Sequence, residues 1–225
     1  MQPTSTSVRS TSGPAIAAIV LAAGRSSRMG QHKLLLPLGG RPLVSYAVEA
    51  ASASSADPVI VVLGFQAAEI EGALPAGRFR VCVNPQFATG MSSSLALGIA
   101  TLSAVQPSMG RPILGALILL ADQPLISTGL VNRLLERASA TPDTIIAAAY
   151  AGVRSTPVYF PGRFFDELLH ITGDEGGRSV IARHPDLVSI QEISESERGI
   201  DVDRREEFEE LQSNWDHYSQ FLDIQ

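Results

Sequence analysis

The 225-residue sequence predicts an α/β fold in which a mostly parallel sheet carries helices on both faces. Three observations carry that prediction. Apolar runs of strand length alternate along the chain with segments of helical length, the order that parallel strands joined by crossover helices produce. The runs AIAAIVLA, from Ala15, and GALILLAD, from Gly115, are continuous rather than alternating in polarity, as strands covered on both faces are. No heptad pattern or internal repeat competes with this reading.

Met1 to Pro14 is Ser/Thr-rich and aperiodic, and reads as a disordered lead-in. That places the folded domain at 15–213 and a tail at 214–225. A secretory signal is the competing reading of the start, because an apolar stretch follows Arg9; its apolar core would be consumed by the first strand and its cleavage site would fall in the next loop. The first strand runs from Ile16 to Ala22. LLLPLGGRPLV then gives a short extended piece, a turn at Gly39-Gly40 and a helix opened by Pro42 that passes through Tyr46 to about Ala51. Pro58 introduces the strand VIVVLG, and Gln66 to Gly72 is a short helix that Pro75 stops. Phe79 to Val83 is a third strand, closed by Asn84-Pro85. In ATGMSSSLALGIATL the serines read as caps of a helix with Leu95, Ile99 and Leu102 on its apolar face. The fourth strand ends in Asp122. Ser127 to Ala138 is amphipathic, with Leu130, Leu134 and Leu135 on one face; TIIAAAY is a further strand, and Arg204 to Leu211 a late helix.

Chemistry begins where the first strand ends. Gly24 and Gly30 bracket a loop bearing Arg25 and Arg28, with Lys33 just beyond, so backbone N–H groups can approach an anion while side chains neutralise it. Two kinds of phosphate loop are excluded. No Ser or Thr follows Lys33 directly, as a Walker A loop requires, and no glycine stands two residues after Gly24 to start a dinucleotide-binding helix. A tight turn is the structural alternative. Asp122, closing an apolar run, is either a turn or cap aspartate or a Mg2+ ligand. In an open α/β sheet ligands bind at the carboxyl ends of the strands, where the loop and Asp122 both project. A carboxylate among phosphates needs a metal to offset repulsion, which favours Mg2+.

A net charge of -6 and a pI near 5.2 exclude a sequence-independent nucleic-acid binder, and the first apolar run is too short to span a membrane. Cys82 has no intrachain partner and sits in FRVCVN, where a reduced core cysteine is the ordinary explanation; a cytoplasmic location is expected. His170, His184 and His217 are too scattered to form a metal set, and His32 reads as a loop-surface residue.

The segment LAAGRSSRMGQHK, Leu21 to Lys33, resembles the signature loop LAxGxSxRMGxxK of nucleotidyltransferases that build nucleotide-activated cofactors and sugars. NPQFATGMSSSL, LLADQP, GDEGGR and GIDVDRREEFEEL follow in the order expected of the molybdenum cofactor cytidylyltransferase group of the MobA-like family, and the resemblance covers nearly all of 16–211. It implies a Rossmann-like nucleotidyltransferase fold. It also implies transfer of CMP from CTP to the terminal phosphate of a molybdopterin-type acceptor, with pyrophosphate release, Mg2+, and a molybdenum hydroxylase or its maturation factor as partner. At the nucleotide the resemblance places Leu21, Ala22, Ala23, Gly24, Arg25, Arg28, Gly30, Lys33, Gly90, Ser93 and Ser94, with Ser94 at the base. Arg28, Lys33 and Asp122 take the catalytic roles, Asp122 and Asp203 the metal, and Arg178 the acceptor. For the serines the alternative is capping, for Asp203 and its neighbour Asp201 a solvated acidic face, and for Arg178 a helix cap.

Two departures bear on substrates. Arg154-Ser155-Thr156-Pro157 stands where many of the group carry Gly-His-Pro, which puts the acceptor in question. Ala23 stands where guanylyltransferase relatives carry glycine; its methyl fits beside a pyrimidine and crowds a purine, so CTP is expected over GTP, with CTP and UTP not separated. Two other classes fit the same residues: an NAD(P)H-dependent oxidoreductase acting on a heterocycle, and a non-catalytic nucleotide-binding partner of a molybdenum hydroxylase.

Overall fold

A computed structural model describes residues 13–26, 29 and 32–222. The lead-in up to Ser12, together with Arg28 and Gly30, lies outside the described residues. In chain order the elements are β1 (Ala15–Ala22), β2 (Pro37–Leu38), β3 (Arg41–Pro42), α1 (Val44–Ala53), β4 (Val59–Leu63), α2 (Ala67–Gly72), β5 (Arg80–Val83), α3 (Met91–Val105), β6 (Ile113–Leu120), α4 (Thr128–Ala140), β7 (Ile145–Tyr150), β8 (Val153–Pro161), α5 (Phe165–Leu169), α6 (Arg178–Arg183), β9 (Val188–Ile193), α7 (Arg205–Ser213) and α8 (Trp215–Tyr218).

Seven strands form one sheet in the order β5-β4-β1-β6-β8-β7-β9, and β2 pairs with β3 in a separate ribbon. The sheet is parallel except at β8, which runs antiparallel to both β6 and β7. The period of two along β1 explains the layers. Ile16, Ala18, Val20 and Ala22 face one core with residues of α1, α4 and α7, while Ala17, Ile19 and Leu21 face a second core with residues of α3, α5 and α6. Every residue of β1 is buried. Since burying an Ile, Leu or Val side chain is worth about 1.5–3 kcal/mol, a strand of this composition belongs at the centre of the sheet. Helix α3 crosses β1 closely at Gly98, where an added Cβ would lie 2.7 Å from Ile19 Cγ2. Cys82 is a free, half-buried thiol on the edge strand β5.

Two local expectations are corrected. Pro42 does not open a helix: it pairs with Pro37 in the β2–β3 ribbon, whose turn is the expected Gly39-Gly40, both at positive φ. The serines of GMSSSL do not cap α3, because its N-cap is Gly90, without a side-chain cap. Capping by serine does occur at α4, where Ser127 Oγ accepts from Leu130 N at 3.3 Å.

Candidate active site

β1 pairs with β4 on one side and with β6 on the other, so a crevice opens at their carboxyl ends, where ligands bind in sheets of this kind. The loop after β1 is anchored on the β4 side. Ala23 is buried and its carbonyl accepts from Phe65 N at 3.3 Å. Arg25 lays its guanidinium 5.1 Å from the centre of the Phe87 ring. Ser26 takes a positive φ, its carbonyl accepts from Met29 N at 3.0 Å, and its hydroxyl accepts from Lys33 N at 3.2 Å. Met29 is a buried plug in the core. His32 corrects the surface expectation: it is 8% exposed, stacks on Phe65, and lies with Nε2 3.2 Å from Phe65 O. The apolar ring beside it makes burial favourable, and burial holds its pKa below the ordinary value.

Lys33 is the centre of the charge cluster. Its Nζ donates to Asp122 Oδ2 at 2.6 Å and to Asp203 Oδ1 at 2.9 Å. Burial works against the ammonium, but the two carboxylates outweigh it, and its pKa stands above the ordinary lysine value. Asp122 projects from the end of β6. The Asp203 segment is held beside it by Val202 N donating to Asp122 O at 3.0 Å, and by Glu207, which accepts from Asp203 N at 2.7 Å and Arg204 N at 2.9 Å. Asp122 Oδ1 is buried with no hydrogen-bond partner among the described residues. No group of three or more His, Cys, Asp or Glu side chains among the described residues is arranged to hold a metal. Mg2+ sites built from one or two carboxylates plus substrate phosphates have that composition. The orphaned Asp122 oxygen and a carboxylate pair already closed around one cation fit such an ion.

A second feature was not visible in the sequence. Gln123, fully buried, accepts from Thr156 Oγ1 at 2.6 Å and donates to Ser155 Oγ at 3.4 Å. Asp201 is exposed as a residue, yet desolvation around its carboxyl, followed by the negative charge of Asp122, raises its pKa to about 6. Ser155, Thr156 and Asp201 line a cavity of about 140 Å³ that also meets Leu21, Leu95, Leu120, Phe160, Arg154 and Arg178. The structure thus brings Arg178 and Thr156 to one cavity beside the charge cluster. A polar residue after Asp122 gives no pattern signal, because its partners lie 32 or more residues away.

The start of α3 closes the opposite wall. Asn84, buried at the end of β5, donates from Nδ2 to Ser93 Oγ and Ser94 Oγ, both at 2.9 Å. Ser94 is itself buried. The first helical amides are satisfied by the GDEGGR loop: Asp174 Oδ1 accepts from Met91 N at 3.0 Å, and Gly173 O from Ser92 N at 3.1 Å. Gly90 sits at φ +114 with Gly173 against it. The segments assigned to the nucleotide and to the acceptor are therefore joined directly.

A switch-point crevice in which a basic loop meets paired carboxylates is the work of a protein that handles a polyanion together with a cation, as nucleotidyltransferases do. The chain belongs to the MobA-like NTP transferase family, whose domain model matches residues 18–188. It is 32% identical over 206 residues to the purine catabolism protein PucB of Bacillus subtilis, covering 87% of this chain and 95% of that protein. It is also 32% identical over 207 residues to the nicotine blue oxidoreductase of Paenarthrobacter nicotinovorans, covering 88% and 97%. Among solved structures, Rv0371c of Mycobacterium tuberculosis superposes with a TM-score of 0.73 at 26% identity, over 89% of this chain and 98% of that one. A nucleotidyl transferase of Methanothermobacter thermautotroptrophicus shares the fold, with a TM-score of 0.75 at 24% identity over 92% and 99%. Among the described residues no helix is long and apolar enough to cross a membrane.

Proposed function

We propose that the protein transfers CMP from CTP to the terminal phosphate of a molybdopterin-type acceptor and releases pyrophosphate. The observation that carries this reading is the Lys33–Asp122–Asp203 cluster at the carboxyl ends of β1 and β6. Asp122 and Asp203 would hold Mg2+, which supplies charge neutralisation at the phosphates. An acceptor phosphate oxygen attacks the α-phosphorus in line; the bond to the α–β bridging oxygen breaks, and pyrophosphate carries the electron pair away. Loop amides from Ala22 to Arg25, with Arg28 and Lys33, stabilise the leaving charge. Gly90, Ser93 and Ser94 meet the nucleoside, the apolar cavity walls take the acceptor's ring, and Arg178 at the rim takes its phosphate.

The test is pyrophosphate release with each of the four NTPs and candidate acceptors. CTP should exceed GTP in kcat/KM by about 10- to 200-fold, the range that one misplaced methylene-sized contact provides. The Ala23 methyl lies in the wall beside Gly64, and Ala23→Gly should narrow that ratio. Preferred use of GTP by the parent would refute the CTP assignment, and an unchanged ratio in the variant would refute its steric cause.

The relative named nicotine blue oxidoreductase favours a second reading, reduction of a heterocycle by NAD(P)H in the same cavity. Loss of cofactor absorbance without pyrophosphate release would select it.

A further inference from the structure

We infer that Lys33 is the resident occupant of the divalent-cation site: its ammonium competes with the cation for Asp122 and Asp203, and gives them up most readily when nucleotide phosphates offer it a second anionic partner. The identity of those phosphates rests on the function proposed above; the competition does not.

The geometry sets up the competition. Nζ lies 2.6 Å from Asp122 Oδ2 and 2.9 Å from Asp203 Oδ1, so one ammonium spans both carboxylates that a metal would use. A Mg2+ ion sits about 2.0–2.1 Å from its oxygens, so on these two carboxylates it repels an ammonium held at hydrogen-bond distance. Asp122 Oδ1 is buried and has no partner among the described residues, so within them the cluster remains one positive interaction short even with Lys33 in place. Electrostatics gives the coupling its sign. Asp122 and Asp203 with Lys33 sum to one negative charge; a divalent cation in place of the ammonium brings the pair to neutrality but drives Lys33 off both carboxylates. Without an anion nearby that displacement is costly. A bound triphosphate removes the cost, so cation and nucleotide each tighten the other by the same factor.

Residue chemistry points the same way. Lys33 is the only lysine among the 17 Lys and Arg residues of the sequence. An arginine would clamp the carboxylates through its rigid fork, whereas a lysine is a compact charge on a four-carbon stem that can swing between two anions. The base of that stem is fixed: Lys33 N donates to Ser26 Oγ, and Lys33 begins the 3-10 turn Lys33–Leu35. Only the side chain has to move.

Mn2+ serves as the probe, with no nucleotide present and free Mn2+ followed by its electron paramagnetic resonance signal. Lys33→Met should bind Mn2+ more tightly than the parent, by about 5- to 150-fold, the usual range of coupling between linked sites. A non-hydrolysable CTP analogue should then tighten Mn2+ binding in the parent much more than in the variant. Equal or weaker Mn2+ binding by Lys33→Met overturns the inference. A second measurement needs no variant. Because the chain has one lysine, acylation of Lys33 can be followed by peptide mass mapping, and saturating Mn2+ alone should accelerate it several-fold; an unchanged rate overturns the inference as well. Neither readout depends on turnover. A protein that meets both expectations yet releases no pyrophosphate would refute the proposed function and leave the competition standing.

Discussion

Asp122→Asn should retain the fold and lose about 10²- to 10³-fold in kcat, the loss expected when one charge is withdrawn from a site that works by electrostatic stabilisation. Shape is nearly conserved, so the effect isolates charge. Lys33 keeps Asp203 as a partner in the variant, and Asp203 is 47% exposed, so the cluster is not a sealed ion pair. The stability cost should therefore fall below the about 3–5 kcal/mol typical of breaking a buried pair. Steady-state turnover at limiting Mg2+, read beside a thermal melt, checks both halves. Parental turnover in a folded variant would remove Asp122 from the metal and from catalysis.

Gly90→Ala carries the largest expected effect on stability. At φ +114 any side chain is strained, by about 1–3 kcal/mol, and the new Cβ would stand 2.3 Å from Gly173 O, a backbone atom with no room to yield. We expect a loss of about 2–4 kcal/mol, or roughly 4–16 °C in melting temperature for a chain of this size. Because Gly173 and Asp174 satisfy the first amides of α3, the same change should also loosen the loop that leads to Arg178. A variant melting within about 1 °C of the parent would mean that this junction bears no stress.

Sequence periodicity read the centre of the fold well, because β1 and β6 are continuous apolar runs and their burial on both faces is a local property of composition. It read the reversal at β8 poorly. Nothing within Val153–Pro161 states a direction; the antiparallel pairing follows from β6 lying on one side and β7 on the other. Pro42 was misread because a two-residue ribbon leaves no periodic trace. The serines in the first turn of α3 looked like caps since Ser is a favoured choice at a cap, yet the amides are served by a loop more than 80 residues away. Asp122 was legible from its position after an apolar strand. That Asp203 would join Asp122 was implied by the family resemblance; that Lys33 bridges the two is visible only in three dimensions. Gln123 had no signal at all, since a buried amide is defined by its partners.

The packing of Trp215 equips the molecule with an optical reporter. Its indole meets Tyr46 edge-on, with ring centres 5.2 Å apart, and covers Gly39 so closely that a Cβ there would lie 2.0 Å from Nε1. No other tryptophan exists in the sequence, so fluorescence under 295 nm excitation watches the docking of α8 onto the β2–β3 turn and α1, and little else. Circular dichroism watches the sheet and the long helices. If the two signals part company in a denaturant titration, with emission shifting to the red first, the C-terminal segment undocks as a separate unit before the sheet melts; coincident curves would make it part of the same cooperative transition.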